Sequence, residues 1–216
     1  MVTSLVVLIV CAAQSNPPTA KEIEAIQASL TADLRGREDV QGTPSIQRTT
    51  KLPAGAVSAG QLRHKPSRQA LQAVARGAKL SQSGKHDEAA REFERAVERD
   101  PDYANAHDRL GVEYAQMGRY VDAEAHLNRS IALDSASWAA QYDLAVVLYN
   151  TGNLTGAERS VRRAMELSPA NAQVQMLLGL LLCRNEETRR DGLARLQDAA
   201  RTLPEAKQLL KSLQEP

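Results

Sequence analysis

The chain has 216 residues, of which 43% are hydrophobic, 25% are charged and only 3% are aromatic. Few aromatic residues argue against a β-sandwich or barrel, while the abundance of Ala, Leu, Arg, Glu and Gln favours helices. A formal net charge of +1 excludes a global electrostatic field for binding nucleic acid or anionic lipid.

Residues 1–15 begin with an apolar stretch, Val2 to Ala13. As a helix this stretch would be ~18 Å long, too short for a ~30 Å hydrocarbon core. Its length suits the apolar part of a secretory signal, and Ala13-Gln14-Ser15 matches the small-x-small cleavage pattern. The sequence therefore predicts a signal segment over 1–15 and an exported protein, periplasmic or attached to the cell envelope.

The same segment also resembles a bacterial lipoprotein signal, which would attach a lipid to Cys11 and hold the protein on a membrane by its N-terminus. Val10 departs from the small residue which that pattern places before the cysteine, and no Lys or Arg precedes the apolar stretch. The alternative is a cytoplasmic protein with an apolar terminus or an incomplete gene start.

Residues 16–66 are predicted to hold one helix and a linker. Thr19 and Glu22 form a capping-box pattern after Pro17-Pro18. An apolar stripe then runs along a helix over about 20–35, which we expect to dock on the rest of the chain or on a partner helix. The stripe consists of Ile23, Ile26, Leu30 and Leu34. From 37 to 66, scattered Gly and Pro residues indicate a linker.

From Ala70 onward the sequence repeats itself at an offset of 34 residues. The repeated positions keep a fixed order of small and large residues, with a glycine in the middle of each unit and usually a proline at its end. They include Gly77/Gly111/Ala145/Gly179, Leu80/Tyr114/Leu148/Leu182, Gly84/Gly118/Gly152, Ala89/Ala123/Ala157, Phe93/Leu127/Val161 and Pro101/Ser135/Pro169.

This period and order resemble the tetratricopeptide-repeat family, in which each unit is a helical hairpin. The resemblance implies an all-α fold, an α-solenoid of about four hairpins. The units are 70–103, 104–137, 138–171 and 172–206, followed by a capping helix over 205–214. The fourth unit lacks the turn glycine, and its later landmarks, such as Gly192 and Pro204, come one residue late. One inserted residue between its helices explains this shift.

No pattern in the sequence indicates catalysis, a metal site or a cofactor. The four histidines lack metal-ligand spacing, and no Gly-rich phosphate loop follows a strand. His107 is interpreted as a surface or packing residue. We therefore expect a protein that is not an enzyme and that binds neither nucleic acid nor a small-molecule substrate.

In the family resembled, the first helix of each hairpin lines a concave groove that binds peptides or partner helices. By register, that groove is predicted to contain Asn105, Asp108, Arg109, Val112, Gln116, Tyr142, Val146, Tyr149, Asn150, Met176 and Leu180. Some members hold an acidic peptide C-terminus with a carboxylate clamp. The matching positions here are Val74, Ala78, Arg109, Ala139 and Asp143, of which only Arg109 fits, so this class of peptide is not expected.

Val174 to Cys183 is apolar on almost every side, and Tyr142, Val146 and Tyr149 extend it along the groove. This patch is predicted either to bind an apolar peptide or helix, or to be covered by the capping helix or by the helix over 20–35.

The function predicted from the sequence is a scaffold or adaptor that binds a protein or peptide. Two alternatives remain at this stage: a regulatory or targeting subunit of an enzyme complex, and a structural solenoid that self-associates as a homodimer.

Overall fold

The computed structural model describes residues 64–214, which form a succession of helices, with no strand in that range. The segments predicted over 1–15 and 20–35 lie outside the described residues, as does most of the linker. The helices are α1 (Arg68–Gln82), α2 (His86–Arg99), α3 (Ala104–Gln116), α4 (Tyr120–Leu133), α5 (Trp138–Asn150), α6 (Leu154–Leu167), α7 (Ala172–Leu182), α8 (Arg189–Ala199) and α9 (Pro204–Gln214).

Consecutive helices pair into four hairpins: α1 with α2, α3 with α4, α5 with α6, and α7 with α8. The second helix of each hairpin packs on the first helix of the next, and the first helices of neighbouring hairpins also touch, α1 with α3 and α3 with α5. This stacking is the one-dimensional packing of a repeat solenoid. The predicted all-α solenoid is confirmed over the described residues.

Glycine permits the close approach of the two helices in a hairpin. A Cβ atom at Gly111 would lie 2.7 Å from Cγ of Leu127, and one at Gly77 would lie 2.6 Å from Cε1 of Phe93. Leu127 and Phe93 are almost completely buried. The alternation of small and large residues in the repeat is therefore the pattern of a tight helix-helix contact.

A second set of glycines ends the first helix of each of the first three hairpins. Gly84, Gly118 and Gly152 have φ of +73°, +74° and +79°, and a Cβ atom on any of them would meet nothing within 4 Å. Backbone conformation, and not space, therefore requires glycine at these turns.

The fourth hairpin has a longer turn. Residues 183–188 connect α7 to α8, whereas three residues connect the helices of each earlier hairpin. α8 begins 35 positions after α6, whereas α6 begins 34 positions after α4. The Thr188 hydroxyl donates a hydrogen bond to the carbonyl of Leu182 at 2.8 Å. This bond helps to satisfy the free carbonyl groups at the end of α7, where the earlier hairpins have a glycine turn.

The first hairpin begins earlier than the predicted boundary at Ala70. Ser67 caps α1, because its Oγ accepts a hydrogen bond from the Ala70 amide at 3.2 Å. The Ser67 amide in turn donates to the Asp100 carboxylate at 2.7 Å, and His64 Nε2 lies 2.5 Å from the same carboxylate. His64, which falls within the linker predicted to end at residue 66, and Ser67 are thus fixed to the end of α2.

One large apolar core runs from α2 to α7, and a smaller terminal cluster follows it. The terminal cluster consists of Cys183, Leu196, Leu209 and Leu213, so α9 covers the open side of the last hairpin. A terminal repeat requires such a cover for its apolar outer face. None of the helices in residues 64–214 combines the length and the apolar character needed to cross a membrane.

Candidate partner-binding groove

The predicted groove lies on the first helices of the hairpins, and neighbouring first helices contact each other. Its walls at the centre are α3 and α5, which contact each other directly. A turn of α3 presents residues three and four positions apart on one face. Asp108, Arg109, Val112 and Gln116 follow this spacing and are all half-buried, while Asn105 at the start of the row is exposed.

The corresponding row on α5 is much more deeply buried. Tyr142 and Val146 are completely inaccessible, and Tyr149 and Asn150 are each 7% exposed. Every residue from Tyr142 to Asn150 is buried, including Asp143. Nine consecutive buried positions span more than two helical turns, so little of this part of α5 is accessible on any face, the predicted groove face included.

Burial also changes the chemistry at this end of the groove. Burial raises the pKa of the Tyr149 hydroxyl, and the nearby Arg184 guanidinium opposes this effect. The Tyr149 hydroxyl therefore lies beside the Arg184 guanidinium at this end of the predicted groove.

The predicted apolar patch is divided between two parts of the structure. Tyr142, Val146 and Tyr149 belong to the main core, whereas Met176 packs against the terminal cluster that α9 completes. Leu180 contacts both. The sequence left open whether a partner or the chain itself covers this patch. On α7, the capping helix α9 provides part of that cover.

The structure places His107 away from the groove. His107 Nδ1 lies 3.0 Å from Nδ1 of His126 on α4, and its Nε2 lies 3.1 Å from the carbonyl oxygen of Pro101. The two rings stack with their centroids 5.3 Å apart. Burial lowers the pKa of both imidazoles. His107 is thus a packing residue between the helices of one hairpin.

Sequence reasoning did not find this histidine pair, or the polar network between the first two hairpins. In that network Glu113 accepts hydrogen bonds from Ser81 and lies 2.8 Å from Nδ1 of His86. The repeat pattern did contain a signal for the histidine pair. Gly111 on α3 packs on Leu127 on α4, and because the two helices are antiparallel, His107 then lies near the helical turn of α4 that contains His126.

Within residues 64–214 no group of three or more His, Cys, Asp or Glu side chains is arranged to hold a metal ion. An open cleft of about 490 Å³ lies between α4, α5 and α6. Ile131, Leu144 and Arg159 contribute to its walls.

Stacked helical hairpins, a concave row of first helices and a terminal capping helix define a helical-repeat solenoid. Two tetratricopeptide-repeat family models match the sequence, one over residues 74–137 and the other over 114–181. Together the matches extend from 74 to 181, across the first three hairpins and into the fourth. The chain belongs to the tetratricopeptide-repeat family.

Solved structures of other repeat proteins share the fold. The first TPR of Spaghetti (RPAP3), bound to the HSP90 peptide SRMEEVD, has a TM-score of 0.53 at 24% identity and covers 55% of this chain and 94% of its own. The second TPR domain of human RPAP3, in complex with the HSP70 peptide SGPTIEEVD, has a TM-score of 0.51 at 23% identity and covers 52% and 94%.

A third structure, MamA from Desulfovibrio magneticus RS-1 (41-end), has a TM-score of 0.57 at 20% identity and covers 65% of this chain and 78% of its own. None of the curated proteins matches the sequence. At these identities the structural likeness establishes the fold alone.

Proposed function

We propose that this protein is a non-catalytic scaffold that binds a peptide or a partner helix in its concave groove. The observation that supports this most directly is the row on α3, where Asp108, Arg109 and Val112 present an acid, a base and an apolar group that are all only half-buried. Binding sites for peptides combine an apolar area with a few placed polar groups that fix orientation.

The structural neighbours support the class of ligand. Two of them hold chaperone peptides, which is the use of the repeat surface that we propose here. The acidic peptide ends of those complexes are not carried over, because Asp143 lies at a position where the carboxylate clamp has a basic or amide side chain. A carboxylate at that position does not favour binding of a terminal carboxylate.

Photo-crosslinking in the native host tests the groove. A photoreactive amino acid replaces Val112 on the concave side or Val121, which is 84% exposed on α4. The proposal expects the same partner to be captured repeatedly from position 112 and not from position 121. Equal capture from both positions, or capture from 121 alone, would contradict it.

We also propose, from the apolar stretch Val2–Ala13 and the pattern Ala13-Gln14-Ser15, that the protein acts in the cell envelope. Amino-terminal sequencing of the protein isolated from its host tests this. Export predicts a mature chain that begins near Gln14 or Asn16, or at a lipidated Cys11. An intact Met1 on the whole population would contradict it.

A further inference from the structure

The open cleft between α4, α5 and α6 is a different surface from the predicted groove. Its volume of about 490 Å³ lies within the range of roughly 300–1,000 Å³ that is typical of ligand sites. On α5 it is lined by Gln141, Leu144 and Leu148, whose spacing of three and four residues places them on one face of the helix. None of the residues assigned to the groove lines the cleft. A ligand in the cleft therefore does not require the groove to bind a partner.

The equivalent space one repeat earlier, between α2, α3 and α4, is occupied by side chains of the protein itself. The ring centroids of Tyr114 and His126 lie 5.5 Å apart, and Cζ of Arg119 lies 4.1 Å from the Tyr114 centroid. The Tyr114 hydroxyl donates to Glu94 on α2 at 2.6 Å. Four side chains from α2, α3, α4 and the residue that precedes α4 thus meet in this space.

All four of these positions hold a smaller residue in the cleft. The replacements 34 residues later are Leu148 for Tyr114, Ser160 for His126, Asn153 for Arg119 and Asn128 for Glu94. Each replacement lines the cleft. The loss of a phenol ring, an imidazole ring and a guanidinium explains why the space is open here, and it leaves room for a ring-sized side chain from outside.

The cleft has an apolar base and charged residues among its walls. Leu144 and Leu148 are each 6% exposed, and Ile131 of α4 adds a third apolar side chain. Glu124 on α4 and Arg159 on α6 also line the cleft, and both positions are alanine one repeat earlier. An apolar hollow with a few placed polar groups is the usual composition of a ligand site.

Arg159 is available to an acidic group. Its neighbours on α6 are engaged, because Arg162 pairs with Glu158 and Arg163 pairs with Glu166. Arg159 is exposed and forms no ion pair with the residues that the structure describes. Two arginines and one glutamate line the cleft, so its lining carries a net positive charge. This charge favours an anionic ligand over a cationic one.

We propose that the cleft binds a partner peptide through one aromatic side chain and an adjacent acidic residue. The ring would lie against Leu144 and Leu148, in the space that Tyr114 and His126 occupy one repeat earlier. The carboxylate would pair with Arg159 at the edge of the cleft. An aromatic anchor in an apolar hollow supplies most of the binding energy at such a contact, and the charge pair fixes the orientation of the peptide.

Nuclear magnetic resonance of the isotope-labelled full chain tests the proposal with a defined probe. The probe is a blocked peptide with one phenylalanine between two aspartates in a Gly-Ser background. One control peptide replaces the phenylalanine by alanine, and the other replaces both aspartates by asparagine. We expect the probe to shift the amide signals of Gly156 and Ser160, which line the cleft, to saturation. Each control peptide should bind about tenfold more weakly.

Two variants test the ring and the charge separately. Leu148→Tyr/Ser160→His places in the cleft the two rings that occupy the earlier space, and it should weaken binding of the probe at least about tenfold. Arg159→Gln should weaken the probe by a similar factor and leave binding of the asparagine peptide unchanged. The matched control Arg162→Gln, on the same helix but outside the cleft, should leave both unchanged. Arg159 is exposed, so its variant stays informative if the cleft-filling variant does not fold.

Several results would overturn the proposal. Equal affinities for the probe and the alanine peptide would exclude an aromatic anchor, and equal losses for Arg159→Gln and Arg162→Gln would exclude the charge pair. Shifts of Gly156 and Ser160 that follow protein concentration without peptide would assign the cleft to a second copy of the chain. Absence of any saturable shift, as expected if residues 1–63 of the chain occupy the cleft, would also contradict it. None of these outcomes affects the crosslinking test at Val112, which concerns the groove.

Discussion

The carboxylate of Glu113 on α3 lies 2.8 Å from Nδ1 of His86 on α2, joining the first two hairpins through a side chain that is 1% exposed. The Ser81 hydroxyl of α1 donates to the same carboxylate. Three helices therefore meet at one buried acid. Polar contacts of this kind fix the register between repeats more specifically than apolar packing does.

Replacement of Glu113 by Ala should destabilise the protein by roughly 2–4 kcal/mol, since it removes a buried acceptor and leaves its donors in an apolar site. Urea unfolding followed by circular dichroism measures the change. The matched control is Glu98→Ala, at an exposed position on α2, for which we expect a change within about 0.5 kcal/mol. Similar effects of the two changes would contradict the role given to Glu113.

The two sets of glycines should respond differently to substitution. Gly111→Ala should cost about 1–3 kcal/mol through overpacking against Leu127, and Leu127→Ala should remove part of that cost in a double-mutant cycle. Gly118→Ala should cost about 1 kcal/mol through its positive φ, with no coupling to Leu127. The free energies of unfolding of the single and double variants measure the effects at Gly111 and at Gly118. Additive losses of stability for Gly111→Ala and Leu127→Ala would refute the steric explanation.

The His107–His126 pair should make stability depend on pH. Burial lowers the pKa of both rings below 6.5 in the folded protein; Arg129 and Arg119 lower it further, while Asp102, Asp122 and Glu94 oppose the shift. The unfolded chain therefore binds more protons as the solution becomes acidic. The stabilising contribution is complete above pH 6.5 and is lost as the pH falls through the folded pKa values.

Unfolding free energies measured between pH 7.5 and pH 5 test this, with His126→Gln as the comparison. The variant retains a polar group but removes one of two coupled titrating rings, so its stability should fall less over this range. Parallel curves for the variant and the wild-type protein would show that the pair does not contribute.

Tyr114 should titrate late among the tyrosines. Its hydroxyl donates to Glu94 at 2.6 Å, and burial together with this hydrogen bond raises its pKa to about 12, against the opposing effect of Arg119. Absorbance at alkaline pH measures tyrosinate formation. Tyr114→Phe should remove a late component, and loss of an early component instead would contradict the assignment.

The repeat positions were predictable because they are set by local geometry. Gly118 and Gly152 recur where the backbone needs a positive φ, and Leu127 recurs opposite Gly111 because the helices must approach closely. Each of these requirements concerns residues within one hairpin. The 34-residue offset therefore predicted the helical hairpins, whereas the apolar spacing of Ala206, Leu209 and Leu213 predicted the capping helix.

The accessibility of the groove was not predictable in the same way. Register assigns Asp108 and Tyr142 to equivalent concave positions, yet the first is half-buried and the second has no exposed surface. Periodicity identifies the face on which a side chain lies but not what covers that face. Tyr142 belongs to the same apolar core as Leu177 and Leu181 of α7, so its burial involves residues beyond its own hairpin.

If the groove binds a partner, binding should depend on the charge of the polar row on α3, and charge reversal there provides a sharp test. Arg109 lies on the concave row of α3, and Arg91 lies exposed on α2. The amount of crosslinked partner recovered is measured for Arg109→Glu and for Arg91→Glu. The two variants carry the same charge change, one on the predicted groove and one away from it. We expect about a tenfold loss of partner recovery for Arg109→Glu, typical of an interface contact worth about 1.4 kcal/mol, and no loss for Arg91→Glu. Equal recovery with both variants, each folded like the wild-type protein, would contradict it.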